Sequence, residues 1–225
     1  SYVLKLDSIF NVQWEGAFGT GITDYASEAI IGNDNSIYMA SDRKVNLGGG
    51  AFDYNIAVIR TDSTGLVIWD SVYVENFQNG SQGILQSSSG NIIFYGETEI
   101  FQFSPFDYFI SAIDTNGNLL WRYTFGGSGS NALFDVIEDD DGNLIGTTGS
   151  LIWEREYGYQ GVDIGFRILP APDGGYLIAG RANTVDEDDF YLLKTDDDGL
   201  TSLGEQNITT FPKPTIFPNP FNDYF

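Results

Sequence analysis

The sequence predicts an all-β chain assembled from repeated four-stranded antiparallel units, and three observations predict it. A phrase consisting of a strand ending in Asp, a short Gly or Asn turn and a second strand carrying Trp recurs, with Trp14, Trp69 and Trp121 spaced 69 − 14 = 55 and 121 − 69 = 52 residues apart. Short apolar runs bounded by Gly, Asn, Asp and Ser form the hairpin pattern throughout, and no window sustains a helical period. The 225 residues include 27 Gly and are 15 % aromatic and 42 % hydrophobic, which describes a folded, turn-rich β protein despite the acidity.

Taken in order, the phrase reads Val3-Leu4-Lys5-Leu6-Asp7 to Trp14, then Val58-Ile59-Arg60-Thr61-Asp62-Ser63-Thr64-Gly65 to Trp69, then Ile113-Asp114-Thr115-Asn116-Gly117 to Trp121. A fourth copy, Leu192-Leu193-Lys194-Thr195-Asp196-Asp197-Asp198-Gly199, lacks the Trp. A second hairpin lies between each Trp and the next phrase. Its copies turn at Asn33-Asp34-Asn35-Ser36, Ser87-Ser88-Ser89-Gly90-Asn91, Asp139-Asp140-Asp141-Gly142-Asn143 and Asp173-Gly174-Gly175. Each repeat is therefore four strands. A unit of about 50 residues cannot bury both faces alone, so it stacks on its neighbours, and radial stacking of such sheets gives a β-propeller. A Trp recurring at one repeat position is expected to fill space between stacked sheets, and Gly96, Gly146 and Gly180 to admit neighbouring backbone.

The expected organisation is an incomplete propeller of four to four and a half blades over residues 1–206. It comprises a half blade (1–19), two full blades (20–73 and 74–127), a shortened one (128–158) and a last one (159–206). Residues 207–225 are expected to begin as a Pro-rich linker. Four and a half units do not close neatly and would bare strand edges, so the natural protein is expected to continue upstream.

Charge and composition exclude several functions. With 10 Lys+Arg against 32 Asp+Glu the net charge is −22, which repels nucleic acid and anionic lipid. No run approaches the ~18 apolar residues of a membrane helix. Having neither Cys nor His, the chain holds no disulfide, thiol nucleophile or Ser-His pair. Calcium is the candidate cation for the acidic turns, but the loop ending at Gly142 puts Ile137 at the first ligand position and that at Gly199 puts Lys194 there. These turns are better explained by Asp bonding its own backbone, so no cofactor is expected, and calcium binding stays open as the alternative reading of the acidic turns. A carboxylate pair for glycan hydrolysis is conceivable among 32 acids but not identifiable.

In a four-stranded blade the second-to-third-strand loops share one end of the sheet and vary between repeats: Asp42 to Phe52, Glu99 to Phe106, and Asn183 to Asp188. Variable loops on a rigid scaffold are where binding usually resides. Phe101, Phe103 and Phe106, with Asp186, Glu187 and Asp188, are the candidate ligand-binding residues. The three phenylalanines could equally pack locally beneath their loop.

The segment Ile216-Phe217-Pro218-Asn219-Pro220-Phe221-Asn222-Asp223 resembles the opening of the C-terminal type A sorting domain of the type IX secretion system, with Pro218, Asn219, Pro220 and Phe221 as the sorting motif. Asp173-Gly174-Gly175-Tyr176-Leu177-Ile178-Ala179-Gly180 and Asp189-Phe190-Tyr191-Leu192-Leu193-Lys194-Thr195-Asp196 are similar to the β-propeller repeats of such exported proteins. The resemblance implies export to the outer surface or surroundings of a Gram-negative cell, with the type IX machinery as partner. Asp62-Ser63-Thr64-Gly65 to Trp69 also resembles the Asp-box of sialidase propellers, a structural turn, though with different spacing. Three readings stay open: a non-enzymatic scaffold binding a glycan, surface polymer or surface protein; a carboxylate-dependent glycan hydrolase or lyase with an incomplete site; and a structural component of the cell surface.

Overall fold

The computed structural model describes residues 1–20, 24–48, 51–73, 78–100, 104–126, 133–146, 164–183 and 188–197, and among these every regular element is a β-strand. Among the described residues five antiparallel sheets follow one another along the chain. The first pairs β1 (Tyr2–Leu6) with β2 (Val12–Ala17). The second orders β3 (Asp24–Ile31), β4 (Ile37–Gly48), β5 (Ala51–Thr61) and β6 (Val67–Tyr73) as a four-stranded meander, and the third does the same with β7 (Asn79–Gln86), β8 (Ile92–Glu99), β9 (Phe106–Ile113) and β10 (Leu119–Phe125). The fourth pairs β11 (Val136–Glu138) with β12 (Leu144–Gly146), and the fifth orders β13 (Ile164–Pro170), β14 (Tyr176–Asn183) and β15 (Asp188–Lys194). Residues 207–225, with the Pro-rich segment, lie outside the described residues.

The turns form as their sequences dictate. Asp62 Oδ1 accepts the backbone N–H groups of Thr64 and Leu66 at 2.8 and 3.0 Å, and Asp114 Oδ1 accepts those of Asn116 and Asn118 at 2.8 and 2.9 Å. Asp139 repeats this with Asp141 and Asn143, and Asp7 with Ile9 and Asn11. Hydrogen bonds from Asn11, Thr64 and Asn118 side chains, joined by these backbone donors, hold the Asp7, Asp62 and Asp114 carboxyls below the usual carboxylate range.

Each sheet packs face to face on the next. Ile37, Met39 and Ile59 of the second sheet meet Val3, Trp14 and Phe18 around the first. On its other face Tyr38, Ala40, Ile56 and Val58, backed by Trp69 and Tyr73, meet Ile84, Ile92, Phe94, Phe109 and Ile113 of the third. Tyr95 and Tyr108 then face Leu133 and Val136, and Ile137 and Ile145 pack on Ile168, Tyr176 and Ile178 of the fifth sheet. Central strands thus bury both faces, whereas every position of β6 and β10 is partly buried or exposed.

The recurrent tryptophans join these sheets. Trp14 Nε1 donates to Ser63 O at 3.0 Å, and Lys5 Nζ donates to the same oxygen at 2.9 Å. One sheet further, Trp69 Nε1 and Arg60 Nη1 donate to Thr115 O at 2.9 and 2.7 Å, and Tyr73 Oη donates to Gly117 O at 2.8 Å. Each turn carbonyl is therefore capped by an indole and a cation from the preceding sheet. Gly65 and Gly117 have φ of +87° and +84°, and the Trp14 ring stands 2.9 Å from where a Gly65 side chain would begin.

First strands share a bulge, with register shifts at Ala26/Glu28, Ser81/Gly83 and Gly165/Arg167. Carboxylates of neighbouring sheets receive amides next to it: Glu28 Oε2 from Ile84 N at 3.0 Å, Asp42 Oδ1 from Ser81 N at 2.6 Å, and Asp135 Oδ2 from Ile168 N at 2.9 Å. Close approach at Gly96 is equally literal, since a Cβ there would lie 1.9 Å from Gly80 O.

One expectation is corrected. Asp42 to Phe52 is not a loop: β4 continues to Gly48 and β5 begins at Ala51, in one register from Asp42↔Ile56 to Asn46↔Phe52 and, after a shift, at Gly48↔Ala51. Arg43 fixes the base of this ribbon through paired bonds to Asp70 at 2.9 and 3.0 Å, and Lys44 Nζ lies 3.5 Å from the Phe52 ring centroid.

Gly90 supplies a control for the capped turns, because its φ is also +87° but a Cβ there meets nothing within 4 Å. Gly90→Ala should cost about 1–2 kcal/mol of backbone strain. Gly65→Ala should cost about 1–3 kcal/mol more, because the Trp14 ring must also shift. Denaturant unfolding of both variants measures the difference; equal losses would deny the indole its role.

Candidate functional site

The end of the second and third sheets that carries the β4–β5 and β8–β9 connections opens into a cleft of about 270 Å³. Tyr25, Asp42 and Tyr54 line it from the second sheet, and Gln78, Asn79, Gly80, Glu97 and Phe106 from the third. Antiparallel pairing fixes this placement: Tyr25 lies directly opposite Asp42 and shares its face, and Glu97 lies opposite Gly80, which has no side chain to cover it. The Tyr25 and Tyr54 rings stand 6.2 Å apart at an inclination of 41°.

The floor is polar and hydrogen-bonded across the two sheets where the neighbouring core is apolar. Thr98 Oγ1 donates to Asn79 Oδ1 at 2.7 Å, and Asn79 Nδ2 donates to Tyr54 O at 3.3 Å, tying the sheets together beneath the rings. Burial, aided by the Glu97 charge, pushes the Asp42 carboxyl up to about 6 against the opposing hydrogen bond from Ser81 N. Burial also raises Glu97. Two carboxyl groups that resist ionisation thus sit in one aromatic-walled recess, the kind of perturbed pair that marks functional clefts.

Of the residues singled out from sequence, Phe106 opens β9 and lines this cleft. Phe101, Phe103, Asp186 and Glu187 lie outside the described residues, as do Pro218, Asn219, Pro220 and Phe221. Asp188 opens β15 opposite Asn183 in the fifth sheet. Asp42, Glu97, Tyr25 and Tyr54 were missed. A signal existed for the first two: each lies six residues beyond the closing residue of its hairpin turn, Ser36 or Asn91, so these two repeats carry an acid at one equivalent position. Among the described residues no group of three or more acidic side chains is placed to hold a metal ion. No family model matches the chain, and no curated protein matches it.

The pH dependence of stability reports on Asp42. Its folded pKa of about 6 lies above the ordinary 3.8, so the folded state binds the proton more tightly and this group's contribution falls as pH rises from about 4 through 6. Asp42→Asn keeps an acceptor for Ser81 N and removes the titration. It should stabilise the protein by about 1–2 kcal/mol at pH 7.5, after screening by solvent at the cleft mouth, and by nothing near pH 3.5. Thermal unfolding across pH is the measurement, and an equal effect at both pH values would place Asp42 outside this account.

Proposed function

We propose that the chain is part of an exported, non-enzymatic β-propeller scaffold that binds a glycan at the cell exterior through the cleft between its second and third sheets. The radial arrangement is supported by the sequence of face-to-face sheets, by the approach of first strands β3, β7, β11 and β13 to one another in turn, and by the partly exposed fourth strands β6 and β10. Export rests on the resemblance of Ile216 to Asp223 to a type IX sorting domain, with the secretion machinery as the implied partner.

One observation carries the binding reading: Tyr25, Tyr54 and Phe106 flank Asp42 and Glu97 in a single recess. Aromatic faces pack against the apolar side of sugar rings, and carboxyl oxygens accept from ring hydroxyls. A second reading, glycan hydrolysis, is favoured by the raised pKa of Asp42, which suits a general acid when a second carboxyl stands near.

A glycan array followed by titration calorimetry separates the two. The binding reading expects retention without turnover, and about a tenfold or larger loss of affinity in Tyr54→Ser and Phe106→Ser with the fold kept. Reducing sugars released from a polysaccharide panel and abolished by Asp42→Asn would instead establish the hydrolase, and neither retention nor release would remove both.

A further inference from the structure

The cleft between the second and third sheets is acidic as well as aromatic. Among the described residues lining it, Asp42 and Glu97 are acids and none is Lys or Arg. The Glu97 charge acts on Asp42, so the two carboxyls share one field. Three cations lie nearby in the two sheets, and each is engaged. Arg43 is bonded twice to Asp70, at 2.9 and 3.0 Å, on the face of β4 opposite to Asp42. Lys44 Nζ lies 3.5 Å from the Phe52 ring centroid. Arg122 Nη2 donates to Asn79 Oδ1 at 3.4 Å, while the guanidinium lies 3.8 Å over the Phe109 ring. Among the described residues neither cleft acid takes part in an ion pair. Like-charged carboxyls in a partly desolvated recess disfavour ionisation, and a positive group brought between them offsets that cost.

The rings supply the other half of a cation site. Tyr25 and Tyr54 stand 6.2 Å apart at 41°, and a cation within about 6 Å of a ring centroid is attracted to the ring face, more strongly once water is excluded. Lys44 gives an internal precedent, since it lies opposite Tyr54 and its ammonium settles on Phe52, the ring of the next pair on the same face. At about 270 Å³ the cleft falls just below the about 300–1,000 Å³ of pockets for drug-sized ligands, which suits a single sugar unit. An acidic sugar is repelled by the two carboxyls and by the net charge of −22. A neutral sugar leaves the carboxyl charge without an offset, whereas a sugar bearing an ammonium meets both the carboxyls and the rings.

We propose that, within the glycan reading on which this inference rests, the cleft selects a sugar unit carrying a free amine, its ammonium seated between Asp42 and Glu97 and against the Tyr25 and Tyr54 rings. The apolar side of the sugar ring is left for Phe106.

Calorimetric titration of the whole chain with three trisaccharides of the same linkage tests this: the glucosamine trisaccharide, its N-acetylated counterpart and the glucose trisaccharide. The titrations run at about pH 6.5, above the Asp42 value of about 6 and low enough to keep sugar amines protonated. The glucosamine trisaccharide should bind about tenfold or more tightly than either neutral one. Glu97→Gln and Asp42→Asn should each remove most of that preference with little change in the binding of the neutral trisaccharides. Asp140→Asn, which alters an exposed turn carboxylate outside the cleft, should leave the preference intact. A tri-lysine peptide carries like charge without the sugar ring and should bind more weakly. Equal affinity for neutral and amino trisaccharides would overturn the inference and leave the glycan reading standing, whereas no binding of any trisaccharide would remove both. Tri-lysine bound as tightly as the amino sugar, or a preference that survives both cleft variants, would reduce the effect to attraction by the overall charge and also overturn it. The comparison of the three sugars uses the unaltered chain, so it holds even if a variant fails to fold.

Discussion

The structure depends on the capping of a turn carbonyl in one sheet by side chains of the sheet before it. Ser63 O receives Trp14 and Lys5, and Thr115 O receives Trp69 and Arg60. Each such bond is worth only about 0.5–1.5 kcal/mol, but together they fix several residue identities. The turn needs Asp to bind its own backbone and Gly to take positive φ, and the absence of a Gly side chain leaves room for the indole. The same contact sets which strand of one sheet meets which turn of the next. It thereby fixes the stacking order and holds the repeat near a constant length, and two sheets linked in this way bring Asp42 and Glu97 to one cleft.

The contact also explains what the sequence makes legible. Asp62, Gly65 and Trp69 recur because turn, φ and ring packing demand them locally, so hairpins and repeats can be read without a structure. The strand character of Asp42 to Gly48 cannot, because its polar residues look like loop until Asp53, Asn55 and their neighbours are found opposite. Bulges at Ser27, Gln82 and Phe166 are equally hidden. They arise from fitting one first strand against another sheet, and no local residue preference announces them. Of the candidate site, Phe106 was legible from its variable loop. Asp42 and Glu97 share one repeat position, yet in a chain of 32 acids that placement stands out only once their burial is known.

The acidity accordingly divides into three kinds. Turn carboxylates such as Asp62 and Asp114 are held low in pKa by donors of their own turn, so their contribution to stability is lost as pH falls. Glu28 and Asp135 accept amides from the next sheet and act as joints. Asp42 also accepts such an amide, yet burial and Glu97 hold it high, so its pH dependence has the opposite sign. That opposition separates the cleft pair from the remaining charge and makes it the place to look for a ligand.

Hydrogen exchange at the tryptophan indole N–H groups tests the capping interaction most directly, with resonances assigned by single Trp→Phe variants. The account predicts that the Nε1 protons of Trp14 and Trp69 exchange about as slowly as amides of the central strands, because release requires adjacent sheets to part. Exchange at the rate of free indole, with the strand amides still protected, would show that the sheets stack without these caps and would contradict the account.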